Sequence, residues 1–339
     1  MHSVCIRVTT SSSFVTLVRT WRDPMQQSSD MTIEPDTTLR PLACDAGSAI
    51  APPLMSLAMP DSVARLSVLD FQGEMSVTAR NRLAVQDVID GLRLRPLAGS
   101  LGWLDIRLRY RGSILGPFWL TLSTAIMVSA LGVLYSALFH TDVHQYLPFL
   151  TLSQILWFFI STVVSDACTC FTQAEGMIRS IRMPLFLHAM RTLIRNVLIL
   201  AHNVVVIVAV FAIFSIWPGW HALLALPALV LWIIDAFAIC LLLGTFCARF
   251  RDIGPIVASI MQIAFFLTPV IWQPQQLGVH AVYLPLNPFF ALIEIVRAPL
   301  LGTTPSAVTW LAALGYSLLL CALSWTMFVR ARGRIAFWI

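Results

Sequence analysis

Residues 171–195 read FTQAEGMIRSIRMPLFLHAMRTLIR, the longest charged interruption in the apolar two-thirds of the chain. Thr172 and Glu175 stand at capping-box spacing, in which the threonine hydroxyl accepts from the N3 amide while the glutamate reaches back to the cap. Behind them Ile178, Ile181 and Leu185 recur at i, i+3 and i+7, with Arg179 and Arg182 interleaved. Pro184 disfavours the helical conformation at Met183. The pattern predicts a short, basic, amphipathic helix that ends at Pro184 between two membrane spans. Two uses are open to such a helix. It is either a socket for another subunit or a solvated linker whose arginines only fix topology.

Composition places the rest of the chain in a membrane. Of 339 residues, 58% are hydrophobic and 12% are charged, against roughly 25% charge in an ordinary soluble domain. Mean hydropathy is +0.80. All 22 basic side chains are arginine, and lysine is absent. A phosphate-binding P-loop needs a lysine to reach the nucleotide phosphates, so this chain carries no ordinary ATPase motif, and it has no Schiff-base lysine either. The net charge of +5 is too small to suggest a nucleic-acid partner. Seven cysteines are scattered without zinc-site spacing and read as small apolar residues. His140 and His144 flank a short outer loop with no third ligand near. No nucleophile–base set, acidic dyad or metal cluster is present, so no catalytic, cofactor or metal residue is expected. Any energy must come from another chain.

Residues 1 to about 95 are rich in Ser, Thr, Pro and Asp, lack a clean signal-peptide core, and are expected to be disordered. Met75 is a candidate for a later translation start. From 97 to 112 the sequence LAGSLGWLDIRLRYRG places Leu101, Leu104 and Leu108 on one helical face, with Arg107, Arg109 and Arg111 supplying charge. This fits an amphipathic helix on the membrane surface, although the alternation from Asp105 to Arg111 also fits a strand. Spans of ~20 residues are expected at about 115–139, 147–170, 196–217, 222–247, 254–272 and 307–329. The apolar stretch 279–301, broken by Pro285, Pro288 and Pro299, reads as a re-entrant segment rather than a seventh span. With both termini cytoplasmic, twelve of the thirteen arginines from residue 107 onward fall inside and only Arg297 outside, a strong positive-inside pattern. The expected class is an all-α integral membrane protein with six transmembrane helices, a surface helix before the first and a re-entrant periplasmic segment between the last two.

Deep aromatic residues are suited to line a passage, since an aromatic face stacks on the C–H face of a pyranose. Trp119, Trp157, Phe265 and Phe266 are the candidates, together with Asp235, the one acid near the middle of a span. Intramembrane carboxylates usually face a bundle interior or a pathway. A neutral, hydrogen-bonded Asp235 is equally compatible with the sequence.

The segment RYRGSILGPFW at 109–119 resembles the entry to the first span of type 2 ABC transporter permeases that export polysaccharides such as O-antigen or teichoic acid. Ile178-Arg179 with Met183-Pro184, Arg249-Phe250-Arg251-Asp252-Ile253, and Thr268-Pro269-Val270 with Leu286-Asn287-Pro288 follow in the same order. The likeness covers residues 96–339. It implies a homodimer in the bacterial inner membrane with two cytoplasmic ABC ATPase subunits, which bind the ATP and magnesium. The implied cargo is a lipid-linked glycan such as O-antigen or capsule polysaccharide, moved to the periplasmic side. On this resemblance Thr172, Glu175, Ile178, Arg179, Arg182, Pro184, Arg249, Arg251 and Asp252 are the expected ATPase contacts. On the same resemblance Arg107, Arg109, Tyr110 and Arg111 are expected either to form a gate for the lipid pyrophosphate or to serve as a plain interfacial anchor. A type 2 exporter of drugs or lipids shares the frame, and a membrane-embedded glycosyltransferase is the alternative from another class.

Overall fold

The computed structural model describes residues 76–339 apart from 117 and 182, and every regular element among them is helical. Met75 and Arg182 lie outside the described residues. Two helices precede the spans, α1 (Val77–Arg93) and α2 (Arg95–Arg109). The expectation of disorder up to residue 95 is therefore corrected from Val77 onward. Ser76 caps α1 by accepting the Ala79 amide at 3.2 Å, and Ala84, Asp87 and Gly91 bury one stripe of it. The segment 97–112, open between helix and strand on its pattern, is helix up to Arg109. Gly112 and Gly116 turn the chain toward the first span with φ of +88° and +53°, values that cost a residue with a Cβ.

The spanning bundle comprises α3 (Phe118–Phe139), α4 (Val143–Thr169), the short α5 (Glu175–Ser180), α6 (Leu185–Ile213), α7 (Ala225–Arg249), α8 (Ile253–Leu267), α9 (Pro288–Leu300) and α10 (Ala307–Ala331), followed by α11 (Ile335–Trp338). Helices α3, α4, α6, α7 and α10 are long and apolar enough to cross a membrane. Helix α8, the fifth expected span, has 15 residues, or roughly 22 Å at 1.5 Å per residue, short of the ~30 Å hydrocarbon core. It stops because Pro269 forces Thr268 into an extended conformation, φ −95° and ψ 137°. The chain then runs through a 3-10 segment, Pro274–Leu286, into α9 with a bend of 109°. That is the broken segment expected of 279–301.

Helix α4 is the centre of the bundle, and α3, α6, α7, α8 and α9 all pack on it. Between membrane helices the apolar driving force is weak, because lipid is as apolar as leucine, so close packing and polar contacts hold the bundle. The Phe159 and Trp232 rings stack at 5.6 Å and 4° between α4 and α7. Thr151 and Ser153 of α4 return their hydroxyls to carbonyls four residues back, each at 2.7 Å, which satisfies them within the helix.

Candidate functional site

The arginine-rich end of the bundle gathers the segment that joins α4 to α6. Cys170 and Phe171 keep helical dihedrals after α4, so the chain never opens into the extended conformation that a cap requires. Thr172 begins a 3-10 turn, Thr172–Ala174, and donates its hydroxyl back to the Thr169 carbonyl at 3.2 Å. The capping box is thus absent, and α5 starts at Glu175 with no side-chain cap. Glu175 pairs instead with Arg179, one turn on, at 3.0 Å, with both side chains about half exposed. Ile181 is extended, φ −132° and ψ 130°, so α5 ends before Met183 and does not run to Pro184. Pro184 stands as the cap position of α6. Ile178 packs against a buried cluster that includes Cys170, Phe171 and Leu185.

A second stretch meets this one. Thr172, Glu175 and Arg251 line one cavity of about 520 Å³, with Cys168, Cys247, Pro255, Trp338 and Ile339 as further walls. Arg249 lies over the Trp338 ring at 5.5 Å and over Phe250 at 5.8 Å. Arg179 donates to the Ile339 carbonyl oxygen. Asp252 occupies the cap position of α8 without a side-chain cap bond. The tail after α10, which the sequence pattern did not single out, is thus part of the same surface.

Asp87 of α1 is a residue that sequence reading missed. Its buried carboxylate accepts the Leu185 and Phe186 amides at 3.3 and 3.0 Å, and Arg332 Nε donates to it at 3.0 Å. It therefore supplies from another helix the cap that α6 lacks locally. The available signal was the serine before a run with Ala84, Val88 and Gly91 at helical spacing.

Helix α2 packs Ala98, Gly102 and Ile106 onto α6. A Cβ on Gly102 would stand 3.2 Å from the Arg191 carbonyl and 3.1 Å from Ile194. Arg191 Nε donates to Asp105 at 2.8 Å. Arg195 joins Asp105 at 3.6 Å and Asp166 of α4 at 2.8 Å, and Asn196 donates to Asp166 at 2.8 Å. This network ties α2 to both α6 and α4. On the other side of α2, Trp103, Leu104, Arg107, Leu108 and Arg109 are exposed, as is Arg111 just beyond its end. Partial burial raises the Tyr110 phenol above its ordinary pKa, and the Arg109 charge opposes that shift.

At the opposite end the broken segment is clamped. Asn287 accepts the Phe289 amide at 3.0 Å and donates to Thr268 Oγ1 at 3.0 Å, joining the two motifs 268–270 and 286–288. Arg297 is fully buried over the Phe149 ring at 4.4 Å. It donates to Glu294 at 2.9 Å, Ser153 Oγ at 2.8 Å and the Pro269 carbonyl at 2.6 Å. The Tyr146 hydroxyl reaches the Ile271 carbonyl at 2.6 Å, and Trp232 Nε1 reaches that of Leu292 at 3.0 Å.

Along α4 and α8, Trp157, Phe265 and Phe266 line a groove of about 410 Å³ together with Ser161, Ser165 and Gln262. Trp157 and Phe265 are 5.7 Å apart, and Phe265 and Phe266 are 5.3 Å apart, centroid to centroid. Trp119 lies half exposed at the start of α3 and takes no part. Asp235 lines a different cavity. Of the five expected lining residues, the structure brings three together. No group of three or more metal-ligating side chains is gathered among the described residues.

Residues 97–301, from α2 through α9, match the ABC-2 type transporter family. The chain belongs to that family. This type 2 ABC permease is also 22% identical over 207 residues to the O-antigen export system permease protein RfbA of Myxococcus xanthus, a match covering 60% of this chain and 80% of that one. The permease is accordingly a multi-pass membrane subunit of an ABC exporter, whose partner is an ATPase subunit. The matched span includes the 170–184 segment, the 249–253 stretch and the clamped broken segment. It excludes α1, α10 and the tail.

Proposed function

We propose that this permease moves a lipid-linked polysaccharide, of the O-antigen or capsule kind, from the cytoplasmic to the periplasmic side of a bacterial inner membrane. The observation that carries the cargo reading is the groove of Trp157, Phe265 and Phe266 beside Ser161, Ser165 and Gln262. Aromatic faces take the C–H faces of sugar rings, and the hydroxyls and amide exchange hydrogen bonds with sugar hydroxyls. The similarity to an O-antigen export permease supports the same reading. The groove lies open along α4 and α8, and a second copy of the chain closes it into a channel in the homodimer. Both termini are cytoplasmic, which puts the arginine-rich end where ATP is available.

Two ATPase subunits dock there, on α5 and the surface around Thr172, Glu175, Ile178, Arg179, Pro184, Arg249, Arg251 and Asp252. Arg182 belongs to the same stretch. Displacement of that surface moves α4 and α6 together. The Asp105–Arg191–Arg195–Asp166 network carries α2 along with them. Arg107, Arg109 and Arg111, with Tyr110 among them, then act as a gate for the pyrophosphate of the lipid carrier, which guanidinium groups recognise through charge-assisted hydrogen bonds. The ATP and magnesium are bound by the partner, and the permease itself performs no catalysis.

The test is reconstitution of the permease with its ATPase in vesicles. Lipid-linked glycans of defined length are expected to stimulate ATP hydrolysis and to appear in the lumen. Stimulation by drugs or simple lipids, with none by glycan, overturns the cargo assignment.

A further inference from the structure

A cavity of about 310 Å³ lies on another face of α4, walled by α4, α7, α9 and α10. That volume is at the lower end of the ~300–1,000 Å³ typical of small-molecule sites. It is separate from the aromatic groove, which uses Trp157, Ser161 and Ser165 of α4. Its walls are apolar except for a single pair: Ser317 donates to Asp235 Oδ2 at 2.7 Å. The Tyr316 hydroxyl is engaged elsewhere, on the Leu286 carbonyl at 2.8 Å. Asp235 is 8% exposed, and its other carboxylate oxygen, Oδ1, has no hydrogen-bond partner. No arginine or histidine is among the lining residues. Phe159, Trp232, Phe289 and Tyr316 are the aromatic residues among its lining. Leu319 and Leu323 of α10, among its lining residues, are exposed, so the cavity reaches the surface beside α10.

Buried charges are as a rule paired or hydrogen-bonded on all sides. This carboxylate is half-satisfied and faces aromatic walls, which attract a desolvated cation through their quadrupoles. Asp235 lies near the middle of α7, too deep for a zwitterionic lipid headgroup with its phosphate. We propose that the cavity binds a lipophilic ammonium ion, an apolar body with one cationic nitrogen that enters laterally from the bilayer past α10. The nitrogen sits against Asp235 Oδ1 and the aromatic rings, and the apolar body fills the remainder. This site does not depend on which cargo passes through the aromatic groove.

The experiment measures binding to the full chain in lipid nanodiscs, with octylammonium, whose N–H groups can donate to the open oxygen, as the probe and octanol as its uncharged companion. The wild type is expected to bind the cation saturably, one per chain, and more tightly than octanol. Asp235→Asn retains an acceptor for Ser317 and is expected to lose affinity for the cation by about tenfold or more while octanol binding is unchanged. Leu320→Trp fills the cavity and is expected to abolish binding of both. Equal wild-type affinity for cation and alcohol, or cation binding that survives in Asp235→Asn, overturns the proposal. The wild-type comparison decides the matter by itself if the variants fail to accumulate.

Discussion

Replacing Asp87 with alanine removes three contacts at once from the arginine-rich end. The Leu185 and Phe186 amides, at 3.3 and 3.0 Å, lose their acceptor in a buried site, and Arg332 loses its partner. Loss of a helix cap costs about 0.5–2 kcal/mol, and a buried donor left unsatisfied costs about 1–3 kcal/mol. Arg332 is 31% exposed, so water recovers most of its share and it adds less than about 1 kcal/mol. Together these lower the free energy of opening the first turn of α6 by about 3 kcal/mol. At 1.4 kcal/mol per decade this is about 100-fold faster amide exchange. Asp87→Asn keeps one accepting oxygen and is expected to lose only about 1 kcal/mol, or roughly fivefold. The assay is hydrogen–deuterium exchange on the peptide covering 185–190, in detergent or nanodiscs. Unchanged exchange in Asp87→Ala refutes the cap. So does an asparagine variant that exchanges as fast as the alanine one.

Other outcomes follow from the same geometry. Thr172→Ala is expected to change stability by less than about 0.5 kcal/mol, because its hydroxyl only back-bonds to Thr169; a loss near 1 kcal/mol in thermal unfolding would restore the capping box. Exchanging Asp105 and Arg191 (Asp105→Arg with Arg191→Asp) is expected to recover export lost in each single variant, with a coupling energy above about 1 kcal/mol in a double-mutant cycle. Arg297→Leu leaves Glu294 and the Pro269 carbonyl without their donor and is expected to cost about 3–5 kcal/mol. Thiol labelling of cysteines placed at 276–282 should report the loosened segment. Arg179→Glu together with Arg251→Glu is expected to lower co-purification of the ATPase about tenfold or more without preventing membrane insertion. Full retention of the ATPase would remove the docking surface.

The 279–301 segment was legible because Pro285 and Pro288, three residues apart in the middle of an apolar run, remove backbone donors that a continuous helix needs there. The coupling stretch was legible as a charged gap, but its internal geometry was not. Spacing alone identified Thr172 and Glu175 as a cap, whereas the helical dihedrals inherited from α4 at Cys170 and Phe171 turned the threonine backward. Helix α1 was hidden by its composition, since its polar face is wide and its buried stripe consists of small residues and an aspartate. Asp235 was legible as an anomaly, yet neither its bond to Ser317 nor its open oxygen has any local signature.

Residues 171–195 show where the division lies. By itself the sequence determined the membrane class, the order of the five long apolar helices, the break before the last span and the arginine asymmetry, but not that the fifth expected span stops at 15 residues. These are quantities summed over about 20 neighbouring residues, and local chemistry dominates such sums. Only the tertiary structure decided that α6 is capped by Asp87, 98 positions before Leu185. It also decided that α2 is latched through Asp105, that the 170–184 segment shares a cavity with Arg251 and the tail, and that Asp235 faces a cavity apart from the aromatic groove. Each depends on a few polar atoms meeting at hydrogen-bond distance across helices, and one-dimensional periodicity carries no record of which helices become neighbours.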